Sequence, residues 1–85
     1  MAELLIKIVT LQGVSLEEEA AMITLPAWDG EVGILPMHVP FIFKLHPGVV
    51  KLYKENGDIS FEIKIEGGFA RVYENSVSIV TNSNS

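Results

Sequence analysis

"ENGDISFEIKIEGGFARVY", residues Glu55 to Tyr73, sets the fold class. Asn56-Gly57 is the pair that closes tight hairpins, because both residues tolerate the left-handed backbone such turns require. Beyond it Ile59, Phe61, Ile63 and Ile65 share one face, with Ser60, Glu62, Lys64 and Glu66 on the other. A period of two puts one face of a strand on a core and the other in water. Gly67-Gly68 then interrupts the run and Phe69 to Tyr73 reads as a further strand, so the double glycine is expected at a turn or bulge with dihedrals that suit glycine. It is no phosphate cradle, since a strand follows it rather than a helix N-terminus.

Working outward, the same period recurs. Leu4, Ile6 and Ile8 share a face near the start, and after Gln12-Gly13 a second run places Ala21, Ile23 and Leu25 on one face and Met22 and Thr24 on the other. Pro26, which lacks an N–H for the ladder, is expected to close that strand. Val50 and Leu52 alternate with Val49, Lys51 and Tyr53 ahead of the hairpin turn, and Val77 to Val80 makes the last strand. The nearest approach to a helical pattern, "SLEEEAAM" (Ser15 to Met22), is short and runs into β-branched residues. The expectation is an all-β domain of seven to ten short strands, built as a two-sheet β-sandwich or flattened barrel over residues 1–81, with a polar tail at 82–85.

Composition excludes several functions. The 85 residues make one domain, and a chain of this size buries about 60–68% of its unfolded surface, enough for one modest core. Eleven acids against six bases give a net charge of −5, and the bases Lys7, Lys44, Lys51, Lys54, Lys64 and Arg71 are scattered, so no stripe fits nucleic acid. The absence of cysteine removes disulfides and thiolate chemistry. Glu3 and Lys7 break the opening apolar segment, which does not read as a signal peptide, and no apolar run approaches the roughly 18 residues of a membrane span.

Candidates for chemistry are weak. Ser15, Ser60, Ser76, His38 and His46 lie in no nucleophile motif. His38 and His46 are too few, and wrongly spaced, for a metal site. Glu17, Glu18 and Glu19 point to alternate faces if they lie on a strand, so they do not converge on a cation. No cofactor is implied. The residues alone reach a binding or structural module with one conspicuous loop, "DGEVGILPMHVPF" (Asp29 to Phe41), where Gly30 and Gly33 are expected to turn the backbone and Pro36 and Pro40 to stiffen it.

That loop resembles the G-E-x-G-I-L-P-G-H-A-P signature of the epsilon subunit of F-type ATP synthase, called delta in mitochondria. "LHPGVV" (Leu45 to Val50) is similar to the family's L-x-P-G turn, with Pro47 and Gly48 at the turn. "GGFARV" (Gly67 to Val72) and "NSVSIV" (Asn75 to Val80) are similar to its closing segments. The resemblance implies a β-sandwich that performs no bond chemistry, grips the foot of the gamma subunit and rests on the c-ring, passing proton-driven rotation to the shaft. It implies that Glu31 faces the c-ring loops and that His38, with Met37 and Pro40, lies at the gamma contact. It also implies a peripheral membrane location, on the cytoplasmic face of a bacterial plasma membrane or on an organellar coupling membrane. Two residues depart from the pattern: Met37 stands where the family usually has glycine, and Arg71 where relatives are often acidic. The family's carboxy-terminal helical hairpin is absent from the sequence, which ends in "TNSNS". The alternative is a stand-alone small-ligand-binding β-sandwich or barrel with a pocket near His38 and His46.

Overall fold

A computed structural model describes residues 3–13, 15–37 and 39–81. Its strands are β1 (Leu4–Thr10), β2 (Ser15–Ala20), β3 (Met22–Ala27), β4 (Gly30–Ile34), β5 (Phe41–Tyr53), β6 (Ile59–Tyr73) and β7 (Ser76–Thr81), and no helix occurs among the described residues. They hydrogen-bond in the order β2-β1-β7-β6-β5-β3-β4. Every pairing is antiparallel except that of β1 with β7, where the first and last strands run side by side.

This single run of strands forms two layers because its central ribbon is shared. β5 and β6 pair from Phe41↔Val72 to Tyr53↔Ile59. β7 pairs only with the later part of β6, Gly68 to Tyr73, and β3 only with β5 from Leu45 to Tyr53. One half of the ribbon therefore belongs with β7, β1 and β2, the other with β3 and β4. The curl brings Leu4, Ile6 and Ile8 of β1 into one cluster with Ile23 and Leu25 of β3, Ile34 of β4, Val50 and Leu52 of β5, Ile65 and Val72 of β6, and Val77 and Ile79 of β7. Each such side chain, taken from water, stabilises the fold by roughly 1.5–3 kcal/mol. The alternation read from the sequence is thus the inner face of the sandwich.

The corner of the ribbon corrects three expectations. Gly67 and Gly68 do not separate two strands: β6 runs through them for 15 residues, bent by φ of +98° and +136°. Pro47 and Gly48 likewise lie inside β5 rather than at a turn before it. Pro47 is tolerated because the β3 ladder jumps from Thr24↔Lys51 to Ala27↔Leu45, leaving no β3 partner to require its N–H. The same gap lets β3 continue through Pro26, which the sequence places at the strand's end. Pro26 packs on Gly48, where a Cβ would stand only 2.8 Å from the Pro26 Cβ. Two further differences lie on faces. Ile59 is exposed although Ile65 on the same face is fully buried, because the hairpin tip extends past the core. Thr24 is buried although the alternation points it outward.

The two edge strands are protected differently. β2 presents Glu17, Glu18 and Glu19, all exposed, and Glu18 stands opposite the buried Ile6 on the inward side of the strand. An inward-pointing charge makes the addition of another strand unfavourable. β4 is five residues long and holds two glycines.

Closure at the corner is steric. A Cβ on Gly68 would meet the Val80 carbonyl oxygen at 2.0 Å and the Thr81 Cα at 2.9 Å, both backbone atoms that cannot swing aside. The Thr81 hydroxyl donates to the Gly67 carbonyl on the same side. Gly68→Ala is expected to lower stability by about 3 kcal/mol or more, through backbone displacement and positive-φ strain together. Gly57→Ala, where a Cβ would meet nothing within 4 Å, should cost only about 1–2 kcal/mol. Urea unfolding of the two variants checks the difference, and equal midpoints would contradict it.

Candidate functional site

The chain leaves β4 at Ile34 and enters β5 at Phe41, and the connection carries the conspicuous loop. Leu35, Met37 and Val39 are exposed, as are Phe41 and Ile42 at the start of β5. An apolar series this open needs something else to hold its shape. Pro36 and Pro40 fix φ at two points. Met37 supplies a third, at φ +69°, in the region a methionine adopts at a penalty of about 1–2 kcal/mol. Its N–H donates to Oδ1 of Asn75, 2.8 Å away. Asn75 lies in the two-residue turn that joins β6 to β7, between the paired Tyr73 and Ser76. Its own carbonyl accepts the N–H of Leu5 at 2.8 Å.

Met37, Val39, Pro40, Glu74 and Asn75 line an open cleft of about 440 Å³ at this end of the sandwich. Next to it Pro40, Phe41, Ile42, Arg71 and Tyr73 line a second shallow depression. The rings of Phe41 and Phe43 are 4.8 Å apart, and the Arg71 guanidinium lies 5.5 Å from the centre of the Tyr73 ring. Arg71 thus covers an aromatic face. Together these residues form an exposed, largely apolar surface that carries one cation, Arg71, and one carboxylate, Glu74, a form suited to protein docking.

The other sequence-predicted positions are distributed differently. Gly30 takes φ +119° and closes the β3–β4 hairpin against Ala27. Gly33 does not turn the backbone: it lies within β4, paired with Thr24, without positive φ. Glu31 is exposed on the same edge strand, opposite Pro26. It belongs to a strand and not to the loop, so Glu31 is not positioned by the prolines that position Met37 and Pro40. His38 lies outside the described residues.

A second surface lies around the tip of the β3–β4 hairpin. The Trp28 N–H donates to the Lys44 carbonyl at 3.0 Å, the Lys44 ammonium sits 4.9 Å above the Trp28 ring, and His46 meets the ring edge-on at 6.0 Å. His46 Nδ1 lies 2.9 Å from the Pro47 carbonyl, which can only accept, so in this contact Nδ1 carries the proton. With Phe69 and Val80 these residues border an open groove at the corner of the ribbon. Among the described residues no three of His, Cys, Asp and Glu converge to hold a metal ion.

Asn75 and Trp28 are the site residues that sequence reasoning missed. "ENS" reads locally as a turn and nothing more, since its hydrogen bond reaches a residue 38 positions away. Trp28 did carry a signal, being the lone tryptophan directly ahead of the Asp29-Gly30 pair.

Comparison with known proteins follows the same pattern. The model of the family described as "ATP synthase, Delta/Epsilon chain, beta-sandwich domain" matches residues 3–84. The ATP synthase epsilon chain of Desulfitobacterium hafniense is 38% identical over 78 residues, covering 92% of this chain and 58% of the relative. That of Herpetosiphon aurantiacus is 41% identical, covering 92% and 56%. The chain thus spans somewhat more than half the length of these curated relatives. A chain in the cryo-EM structure of Euglena gracilis mitochondrial ATP synthase, OSCP/F1/c-ring in rotational state 1, superposes with a TM-score of 0.84 at 28% identity, covering 100% of this chain and 54% of that one. A chain of the Tetrahymena thermophila mitochondrial ATP synthase central stalk/c-ring structure, at 17% identity and TM-score 0.77, shares the fold, covering 96% of this chain and 65% of its own.

The left-handed Met37 leads to a stability test. Met37→Gly removes the positive-φ penalty, and the greater freedom of glycine in the unfolded chain offsets about half of the gain. The expected outcome is stabilisation by about 0.5–1 kcal/mol in urea unfolding, and a destabilised variant would contradict the backbone assignment.

Proposed function

Because the chain belongs to the delta/epsilon β-sandwich family of ATP synthase, we propose that it is a non-catalytic rotor subunit of an F-type ATP synthase, docking the gamma subunit to the c-ring and coupling proton-driven rotation to ATP synthesis. The observation that carries this reading is the superposition of the whole chain on a chain of an assembly that contains F1 and a c-ring. The geometry supports it. Rotation is transmitted through surfaces that keep their shape under load, and here an exposed apolar loop is fixed by two prolines and a side-chain clasp before any partner arrives. Little further ordering entropy is lost on docking.

In this reading the loop with Met37, Pro40 and His38 meets gamma, and Glu31 on the neighbouring edge strand meets the polar loops of the c-ring. The bacterial relatives favour the cytoplasmic face of a plasma membrane, which the chain reaches through the complex and without inserting. A small-ligand site would need an enclosed cavity with convergent polar groups. The groove beside His46 is open and bordered largely by apolar atoms, so no observation favours that alternative.

Two measurements test the proposal. Mixed with purified gamma subunit of the same synthase, the chain is expected to elute as a one-to-one complex, and failure to associate would remove the proposal's basis. In the assembled enzyme, Glu31→Lys is expected to reduce proton-driven ATP synthesis about two- to fivefold at low ionic strength, the scale of one exposed charge reversal. The defect should shrink as salt screens the contact. Unchanged synthesis at every salt concentration would show that Glu31 serves only the edge strand.

A further inference from the structure

Met37 and Glu74 are the two non-glycine residues with positive φ among the described residues, at +69° and +56°, and they line the same cleft. Backbone held in a disfavoured region persists only where its surroundings impose it, and such positions collect at functional sites. For Met37 the imposing group is visible. Its side chain is 77% exposed, so burial does not fix it, whereas its N–H is held by Asn75 Oδ1. Asn75 is fixed in turn by the hydrogen bond from Leu5 and by the Tyr73↔Ser76 pair that closes its turn. One asparagine thereby ties the loop to β1 and to the β6–β7 turn.

We infer that Asn75 is a positioning residue for partner docking: it selects the left-handed conformer of Met37 and so sets the direction in which Met37, Val39 and Pro40 are presented. This rests on the docking role proposed above. Without the clasp the left-handed conformer of a methionine is populated about five- to thirtyfold less, and apparent affinity falls with the fraction of molecules in the binding-competent form. Only an acceptor is required at the position, because the donor is a backbone N–H. Aspartate meets that requirement and alanine does not.

The test titrates purified gamma subunit with the wild-type chain, Asn75→Ala, Asn75→Asp, Met37→Gly and the double variant Asn75→Ala/Met37→Gly. Asn75→Ala is expected to bind about tenfold more weakly. Asn75→Asp should bind close to wild type. Met37 belongs to the docking surface, so the double variant is compared with Met37→Gly alone, and there the loss of Asn75 should cost little because glycine reaches positive φ unaided. Equal binding by Asn75→Ala, or Asn75→Asp that binds no better than Asn75→Ala, overturns the inference. Absence of binding by the wild type instead overturns the docking role itself, a distinguishable result. Amide hydrogen exchange of the wild-type chain alone is independent of how the variants fold: Met37 N–H is expected to be protected, and exchange at the rate of an open loop overturns the inference.

Discussion

Residue 68 has room for a hydrogen atom where any other side chain would begin, because the Val80 carbonyl of β7 lies 2.0 Å from the position of a Cβ. That close approach is the condition for everything else in the sandwich. It lets β6 bend without leaving either neighbour, so that β5 and β6 serve both layers as one ribbon. With the ribbon folded, the inner faces of all seven strands meet in one cluster. Were β6 straight, the same alternation would build an open sheet with one apolar face in water. The matching side of the corner, Pro26 on Gly48, is a second close approach that a larger residue would prevent.

The same architecture places the candidate site. Because β7 returns beside β6 through a two-residue turn, Asn75 stands at the end of the sandwich where the β4–β5 connection passes. One face of that end is largely apolar, and its loop is tied down by the Met37–Asn75 hydrogen bond. The far edge, β2, carries three exposed acids, one of them directed inward. The molecule thus separates an exposed apolar surface from an edge that rejects further strands.

Most of the fold was legible in the sequence because burial on one face writes itself as a period of two. Leu4, Ile6 and Ile8, Val50 and Leu52, and Val77 and Ile79 all lie where alternation puts them. What escaped was continuity. Pro26, Pro47, Gly67 and Gly68 are local signals for a strand's end, and only the neighbouring strand, absent from any local window, decides that each is instead a bend within one. Gly33 misled in the same way, as a glycine that serves no turn. At the site, the loop was legible from its prolines and its family signature, and Met37 stood out as a departure from that signature. Asn75 was not legible, since a hydrogen bond between residues so distant in sequence leaves no periodic trace.

On the proposed docking role, gamma meets the clasped loop end of the sandwich and not the acidic edge. Amide hydrogen exchange of the chain alone, compared with the chain in the assembled synthase, distinguishes the two surfaces. Exchange across the segment 35–42 and the Glu74-Asn75 turn is expected to slow strongly on assembly while Ser15–Ala20 of β2 exchanges as before. Slowing confined to β2, with the loop and its turn unchanged, would contradict it.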